Sequence, residues 1–175
     1  MHLPRKTLFL LGIFASSPAL AHTGQHLVDG FASGFAHPFS GVDHLLAMFG
    51  VGLWASMLSA GQSWKLPFAF VLVMVLGGTL GAFGIPLAGA ETGIAFSVVM
   101  LAGFIATRTR LSPLPAVLLT GLFGLFHGYA HGLEMQNGVD FAGYAAGFVA
   151  ATATLHILGF LFGRSLLPVS FRQAG

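Results

Sequence analysis

Three side chains of the kinds that bind divalent metals follow one another at helical spacing: His127, His131 and Glu134. Residues i, i+4 and i+7 lie on one face of an α-helix, where these three would span about 10 Å of its length. Imidazole and carboxylate suit borderline divalent ions such as Ni(II), Co(II), Cu(II) and Zn(II). The spacing therefore predicts part of a metal site. The alternative interpretation is that the two histidines donate hydrogen bonds between helices.

A second group of such side chains begins at His37 and continues with Asp43 and His44, and Met48 follows one turn later. A proline and a glycine between His37 and Asp43 predict a turn that folds His37 back toward the other two. Asp43 also suits the first turn of a helix, where capping and charge stabilise the N-terminus by about 1 kcal/mol. Capping is therefore the alternative role of Asp43. Met48 offers a thioether, although methionine in an apolar helix usually packs.

Three further histidines that follow the predicted signal peptide stand apart from these two groups. His22 and His26 follow a predicted cleavage site, where a free amine and imidazole would capture a metal and pass it inward; a solvated tail is the alternative. His156 lies deep in the last apolar segment, and we interpret it either as a second station for the ion or as a hydrogen-bonded packing residue. The chain has no cysteine, which excludes disulfides and thiolate metal sites.

Membrane helices are the elements that must position these residues. Of the 175 residues 55% are hydrophobic and only 7% are charged, whereas soluble domains have about 25% charged residues. Five apolar stretches of near spanning length cover residues 42–60, 66–83, 92–107, 113–133 and 141–163. Glycine spacings such as Gly77-x3-Gly81 indicate close contacts between them. The predicted fold is all-α, a polytopic bundle of five transmembrane helices within residues 22–175.

Residues 1–21 have the parts of a secretory signal peptide, namely basic Arg5 and Lys6, an apolar stretch and small residues ending at Ala21. We expect cleavage there, with an uncleaved first helix as the alternative. Residues 22–41 are too polar and too rich in glycine for a span, and are predicted to form a short helix or loop on the outer surface. The mature N-terminus then lies outside a bacterial inner membrane and the C-terminus in the cytoplasm. All lysines and arginines beyond the signal fall on the cytoplasmic side, as insertion favours.

The residues favour metal transport, and a zinc-dependent hydrolase and a non-transporting metal sensor or accessory subunit are the alternatives. The net charge of +2 comes with seven scattered basic residues that form no patch, which excludes nucleic-acid binding. A zinc-dependent membrane hydrolase would use three ligands and an activated water. The sequence between His127 and His131 lacks the glutamate of the HExxH motif. The hydrolase stays an alternative, with Glu134 as its substitute base.

Two motifs resemble the signatures of the HupE/UreJ family of hydrogenase and urease accessory proteins, namely His37-x5-Asp43-His44 and Phe126-His127-Gly-x-Ala-His131-Gly-x-Glu134. The resemblance also includes the run Gly-Val-Asp-His-Leu-Leu-Ala-Met, and it extends over most of the chain. It implies a secondary nickel permease rather than an enzyme, with the metal as cargo and no required cofactor. It also implies nickel-enzyme maturation proteins as candidate partners, and cobalt or copper as alternative cargo.

Overall fold

The computed structural model describes residues 30–135 and 140–166. The predicted signal peptide, His22 and His26 lie outside the described residues. The described part contains helices and no strand, which confirms the all-α prediction there. These helices are α1 (Gly30–Ala36), α2 (Val42–Ala55), α3 (Ala60–Ser63), α4 (Lys65–Ala82), α5 (Ala90–Ala106), α6 (Pro113–Glu134) and α7 (Phe141–Leu166), with a 3-10 turn at His37–Phe39 between α1 and α2.

Three helical segments are long and apolar enough to cross a bilayer: Gly61–Ala82, Pro113–Glu134 and Phe141–Leu166. The apolar helices α2 and α5 have 14 and 17 residues, fewer than the roughly 20 that a straight span needs. The five-span topology therefore stays a prediction. Large apolar side chains on the outside of the bundle, including Leu72 and Leu118, are more than half exposed. Such a surface suits lipid contact rather than water.

The first apolar segment ends earlier than predicted, because α2 stops at Ala55 instead of residue 60. Its last backbone hydrogen bonds run from Ser56, Met57 and Leu58 to the carbonyl oxygens of Gly52, Trp54 and Ala55. The carbonyl oxygen of Ser59 then accepts the first hydrogen bonds of the next helical turn. Met57 and the residue after it are apolar, so the apolar segment in the sequence extends beyond the residue at which the helix ends. The other four predicted segments agree with helices to within a few residues.

Glycines allow the helices to approach each other through their backbones. A Cβ atom added to Gly128 of α6 would lie 1.9 Å from the carbonyl oxygen of Met74 on α4. One added to Gly81, the second glycine of the predicted contact motif, would lie 2.3 Å from the carbonyl oxygen of Tyr129. Neither glycine can be replaced without moving a helix, since real Cβ atoms do not approach an oxygen so closely. The α4–α6 crossing is thus the close contact that the glycine spacing predicted.

The helix α7 holds α1 and α2 by the same kind of contact. A Cβ atom on Gly34 of α1 would lie 2.0 Å from the carbonyl oxygen of Tyr144, and one on Gly147 would lie 2.0 Å from that of Phe31. Further along, a Cβ atom on Gly52 of α2 would also lie 2.0 Å from the carbonyl oxygen of His156. The 3-10 turn between α1 and α2 is therefore held beside the N-terminal end of α7, which is also where the C-terminal end of α6 lies. This is how the two predicted ligand groups reach one place.

Candidate metal centre

The structure brings six sequence-predicted ligands to one end of the bundle, namely His37, Asp43, His44, His127, His131 and Glu134. The four imidazole rings form a continuous row. The ring of His131 lies 4.7 Å from that of His37 and 4.2 Å from that of His44, measured between ring centroids. The ring of His44 lies 4.9 Å from that of His127. Side chains 97 positions apart in the chain, His37 and Glu134, are in contact in this row.

Among the described residues, one group of three metal-ligating side chains brings its donor atoms close together, namely His37, His131 and Glu134. One donor atom from each lies within 4.8 Å of the other two. Glu134 Oε2 accepts a hydrogen bond from His37 Nε2 at 3.2 Å, while His131 Nδ1 lies 3.7 Å away. Donor atoms about 2.1 Å from one tetrahedral ion lie about 3.4 Å apart. Small side-chain rotations would therefore let these three close on an ion.

The imidazole ring of His131 is buried and has the surroundings expected of a metal ligand. It is only 4% exposed, and neither ring nitrogen has a hydrogen-bond partner among the described residues. The alternative sequence interpretation gave both His127 and His131 interhelical hydrogen bonds; His127 makes one, to Ser97 of α5, whereas the described structure contains none for His131. Buried polar atoms normally have such partners. The unpartnered nitrogens of His131 therefore favour a ligand role over a packing role.

Asp43 orients His44. Its Oδ1 accepts hydrogen bonds from the Nδ1 of His44 at 2.8 Å and from the His44 backbone N–H at 2.9 Å. An ionised carboxylate only accepts, so Nδ1 carries the proton and the Nε2 lone pair stays free. That Nε2 is buried and has no hydrogen-bond partner in the described structure. A carboxylate behind a histidine is a common device for orienting metal-binding imidazoles.

The capping alternative for Asp43 is met only in part. The N-cap position of α2 is Gly41, and no side chain caps the helix there. Asp43 lies in the first turn, where its charge still interacts favourably with the helix dipole. Its hydrogen bonds to His44 are thus a separate role, in which the carboxylate acts behind the imidazole.

His127 is the deepest member of the row and is fully buried. Its Nε2 lies 2.8 Å from Ser97 Oγ, and Ser97 donates its one hydroxyl proton to the carbonyl oxygen of Ile94 at 2.7 Å. His127 Nε2 is therefore the donor to Ser97, which leaves the Nδ1 lone pair free. Nδ1 is buried and has no partner within the described ranges. Ser97 thus selects the tautomer that exposes a metal-binding nitrogen.

Sequence reasoning missed Ser97. It lies on α5, a helix to which no candidate ligand was assigned, and one serine in an apolar helix is common because its hydroxyl can bond to its own backbone. The only available signal was its place, the middle of the apolar segment 92–107. Its pairing with His127 is a tertiary contact that spacing does not encode.

Two weaker candidates, Met48 and His156, are buried but do not join the row. Met48 Sδ contacts the hydroxyl of Thr152 at 3.4 Å. His156 lies on α7, two turns beyond Phe148, and is 2% exposed. The ring of Phe70 packs between these levels, 5.7 Å from the ring of His127 and 5.2 Å from that of His156. Met48 and His156 therefore belong to a second buried region, further from the row's end of the bundle.

The fold and this row define a class: a helical membrane protein that gathers imidazoles and a carboxylate at one end of an apolar bundle. The family model described as HupE / UreJ protein matches residues 9–173, and the chain belongs to this family. It is 44% identical over 169 residues to Protein HupE of Rhizobium leguminosarum bv. viciae, a match that covers 97% of this chain and 86% of that protein. The resemblance seen in the two motifs is confirmed. No solved structure shows significant similarity to the chain.

Proposed function

We propose that the protein is a secondary transporter that imports a divalent transition-metal ion, with Ni(II) as the favoured cargo, across the bacterial inner membrane. The observation that carries this proposal is the row of four imidazoles ending at Glu134. Histidine and carboxylate side chains are costly in apolar helices and mark ion pathways when they occur there. Membership of a family of hydrogenase and urease accessory proteins supports nickel, since these enzymes use it.

The donor set narrows the choice of ion. Imidazole and carboxylate bind borderline divalent metals, and the cysteine-free sequence removes the thiolates that favour soft ions. Mg²⁺ prefers oxygen ligands and retains its water, so a row of nitrogens discriminates against it. Cobalt and copper stay alternative cargo, because the same ligands bind them.

The two outermost ligands are the most exposed, and the imidazoles beyond them are largely buried. The side chain of Glu134 is 58% exposed and that of His37 is 31% exposed, whereas those of His44 and His131 are 12% and 5% exposed. His127 is fully buried. The accessible carboxylate attracts the hydrated cation, and each deeper imidazole replaces one water. Capture and dehydration are thereby divided into small steps.

The proposed direction of transport follows from the charges at the two ends of the helices. Basic residues occur where α4 begins and where α5 and α7 end, the ends opposite to the row, namely Lys65, Arg108, Arg110 and Arg164. Such residues favour the cytoplasmic side. A membrane potential of 100 mV, negative inside, favours entry of a divalent cation by about 4.6 kcal/mol, twice the single-charge value. This suffices to drive uptake without nucleotide hydrolysis, and the sequence contains no P-loop.

The hydrolase hypothesis receives less support from the site. It requires Glu134 as a free general base beside a zinc-bound water. Glu134 instead accepts a hydrogen bond from His37 and is one of the three residues whose donor atoms converge. The geometry therefore favours a role for Glu134 as ligand.

Radioactive nickel entry into proteoliposomes with a negative-inside potential tests the proposal. Wild-type protein should accumulate nickel, and His131→Ala should reduce the initial rate at least tenfold. Thr154→Ala is the matched control, because Thr154 is exposed on α7 and bonds only to its own helix. Equal rates for wild type and His131→Ala would reject the site, and competition by cobalt, copper or zinc would identify another cargo.

A further inference from the structure

His156 is a buried imidazole that nothing around it explains. It is 2% exposed, and both of its ring nitrogens lack a hydrogen-bond partner within residues 30–135 and 140–166. The interpretation of His156 as a hydrogen-bonded packing residue is therefore not met in the described structure. A buried polar group without a partner is costly. Such a group is expected to have a ligand at some stage of the protein's working cycle.

Two buried thioethers converge one helical turn away from His156. Met48 on α2 and Met74 on α4 place their Sδ atoms 3.4 Å and 3.7 Å from the hydroxyl oxygen of Thr152 on α7. The Thr152 hydroxyl already donates to the carbonyl oxygen of Phe148 at 2.9 Å. The two sulfurs are thus not required to satisfy that hydroxyl. Three helices contribute soft or oxygen donor atoms to one buried point.

This point lies in line with the outer row of imidazoles. Phe148, Thr152 and His156 occupy positions i, i+4 and i+8 of α7 and so share one face. The ring of Phe148 lies 4.3 Å from that of His131. Thr152 is then about 6 Å, and His156 about 12 Å, further along the helix axis. A partly open cleft of about 50 Å³ between α4, α6 and α7 is lined by both His131 and Met74, so space for a small ion or water adjoins the row and one of the two thioethers.

We infer that Met48, Met74, Thr152 and His156 form an inner relay for a borderline or soft metal ion. This inference rests on the proposed transport function and extends its route. The ion leaves the outer imidazoles, is held by two thioethers and the Thr152 oxygen, and is then bound by His156. Neutral thioethers bind such ions weakly, so the relay passes the ion on without trapping it. Hard ions such as Mg²⁺ gain nothing from sulfur and would not enter.

The test compares nickel flux in proteoliposomes with nickel binding in detergent. The double variant Met48→Leu with Met74→Leu changes the volume of the interior little, so the fold is retained. We expect its maximal rate, and that of His156→Leu, to fall at least tenfold. The affinity measured by calorimetry at the outer row should stay unchanged. Met100→Leu is the matched control, because Met100 is a partly buried core methionine outside the relay, and it should transport normally.

Two outcomes would overturn the relay, and they differ. Wild-type flux in both the double variant and His156→Leu would reject the relay while leaving the outer site and the proposed function intact. A wild-type protein that carries no metal would reject the proposed function and the relay together. If His156→Leu does not fold, His156→Gln replaces it, with the same loss expected, and intact calorimetric binding at the outer row shows that the fold is preserved.

Discussion

Replacement of Gly34 by alanine should weaken metal binding without touching a ligand. Gly34 lies on α1, three residues before His37, and its added Cβ atom would meet the carbonyl oxygen of Tyr144 at 2.0 Å. An ordinary carbon–oxygen contact is about 3.3 Å. The substitution therefore forces α1 away from α7 by about 1.3 Å. The 3-10 turn that carries His37 follows α1 directly and moves with it.

The consequence for the site follows from the present distance. His37 Nε2 is 3.2 Å from Glu134 Oε2, so the component of the shift that points away from Glu134 needs to be only a few tenths of an ångström to take the pair beyond hydrogen-bond range. Metal–ligand bonds tolerate deviations of about 0.2 Å. An ion bound through Glu134 and His131 would then lose one imidazole. We expect nickel affinity to fall at least tenfold, which corresponds to about 1.4 kcal/mol.

Calorimetric titration of the purified protein with nickel measures this effect. Gly34→Ala should resemble His37→Ala, since both remove the same imidazole from the ion. Gly103→Ala is the control, because a Cβ atom on Gly103 would have no heavy atom within 4 Å. Wild-type affinity in Gly34→Ala together with a loss in His37→Ala would refute the argument that α1 packing positions His37.

Three further predictions concern the residues behind the ligands and the ligands' effect on stability. Ser97→Ala should lower nickel affinity by about 10- to 100-fold and shift the ¹⁵N NMR signals of His127 toward a mixture of tautomers. Ser97→Thr keeps the hydroxyl and should preserve both the affinity and the signals. Unchanged ¹⁵N signals in Ser97→Ala would contradict the tautomer assignment. Asp43→Ala should lower nickel affinity more than Asp43→Asn, because asparagine retains an acceptor for the imidazole N–H of His44. Equal nickel affinities in the two variants would contradict the orienting role of Asp43. Nickel at 100 times its dissociation constant should stabilise the protein by about 2.7 kcal/mol and so raise its melting temperature. A chelator, or the substitution His131→Ala, should abolish this rise in a thermal denaturation experiment.

Much of the fold follows from composition, because apolar segments in a chain with so few charges must be helices. The segment 113–133 agrees closely with Pro113–Glu134, since proline begins the helix and the polar triad ends it. The end of α2 did not follow, because Met57 and its neighbour continue the apolar run past the serine turn. Hydropathy reports side chains, while that break depends on backbone hydrogen bonds.

The residues of the candidate site could be predicted from the sequence. Which of them would bind the ion and which would orient a ligand from behind could not. Helical spacing placed His127 and His131 on one face, and the turn after His37 brought the second motif to them. The spacing could not show that Asp43 lies behind His44, nor that Ser97 lies behind His127. Both assignments depend on which nitrogen of a ring is hydrogen-bonded, and this is decided by tertiary packing.

Anomalous X-ray scattering at the nickel edge, from crystals of the nickel-loaded protein, tests the central claim most directly. The claim is that the row of imidazoles and Glu134 binds the transported ion. A peak is expected at bonding distance, about 2.1 Å, from His37, His131 and Glu134. A nickel-saturated protein whose anomalous peaks all lie away from these side chains would contradict the account.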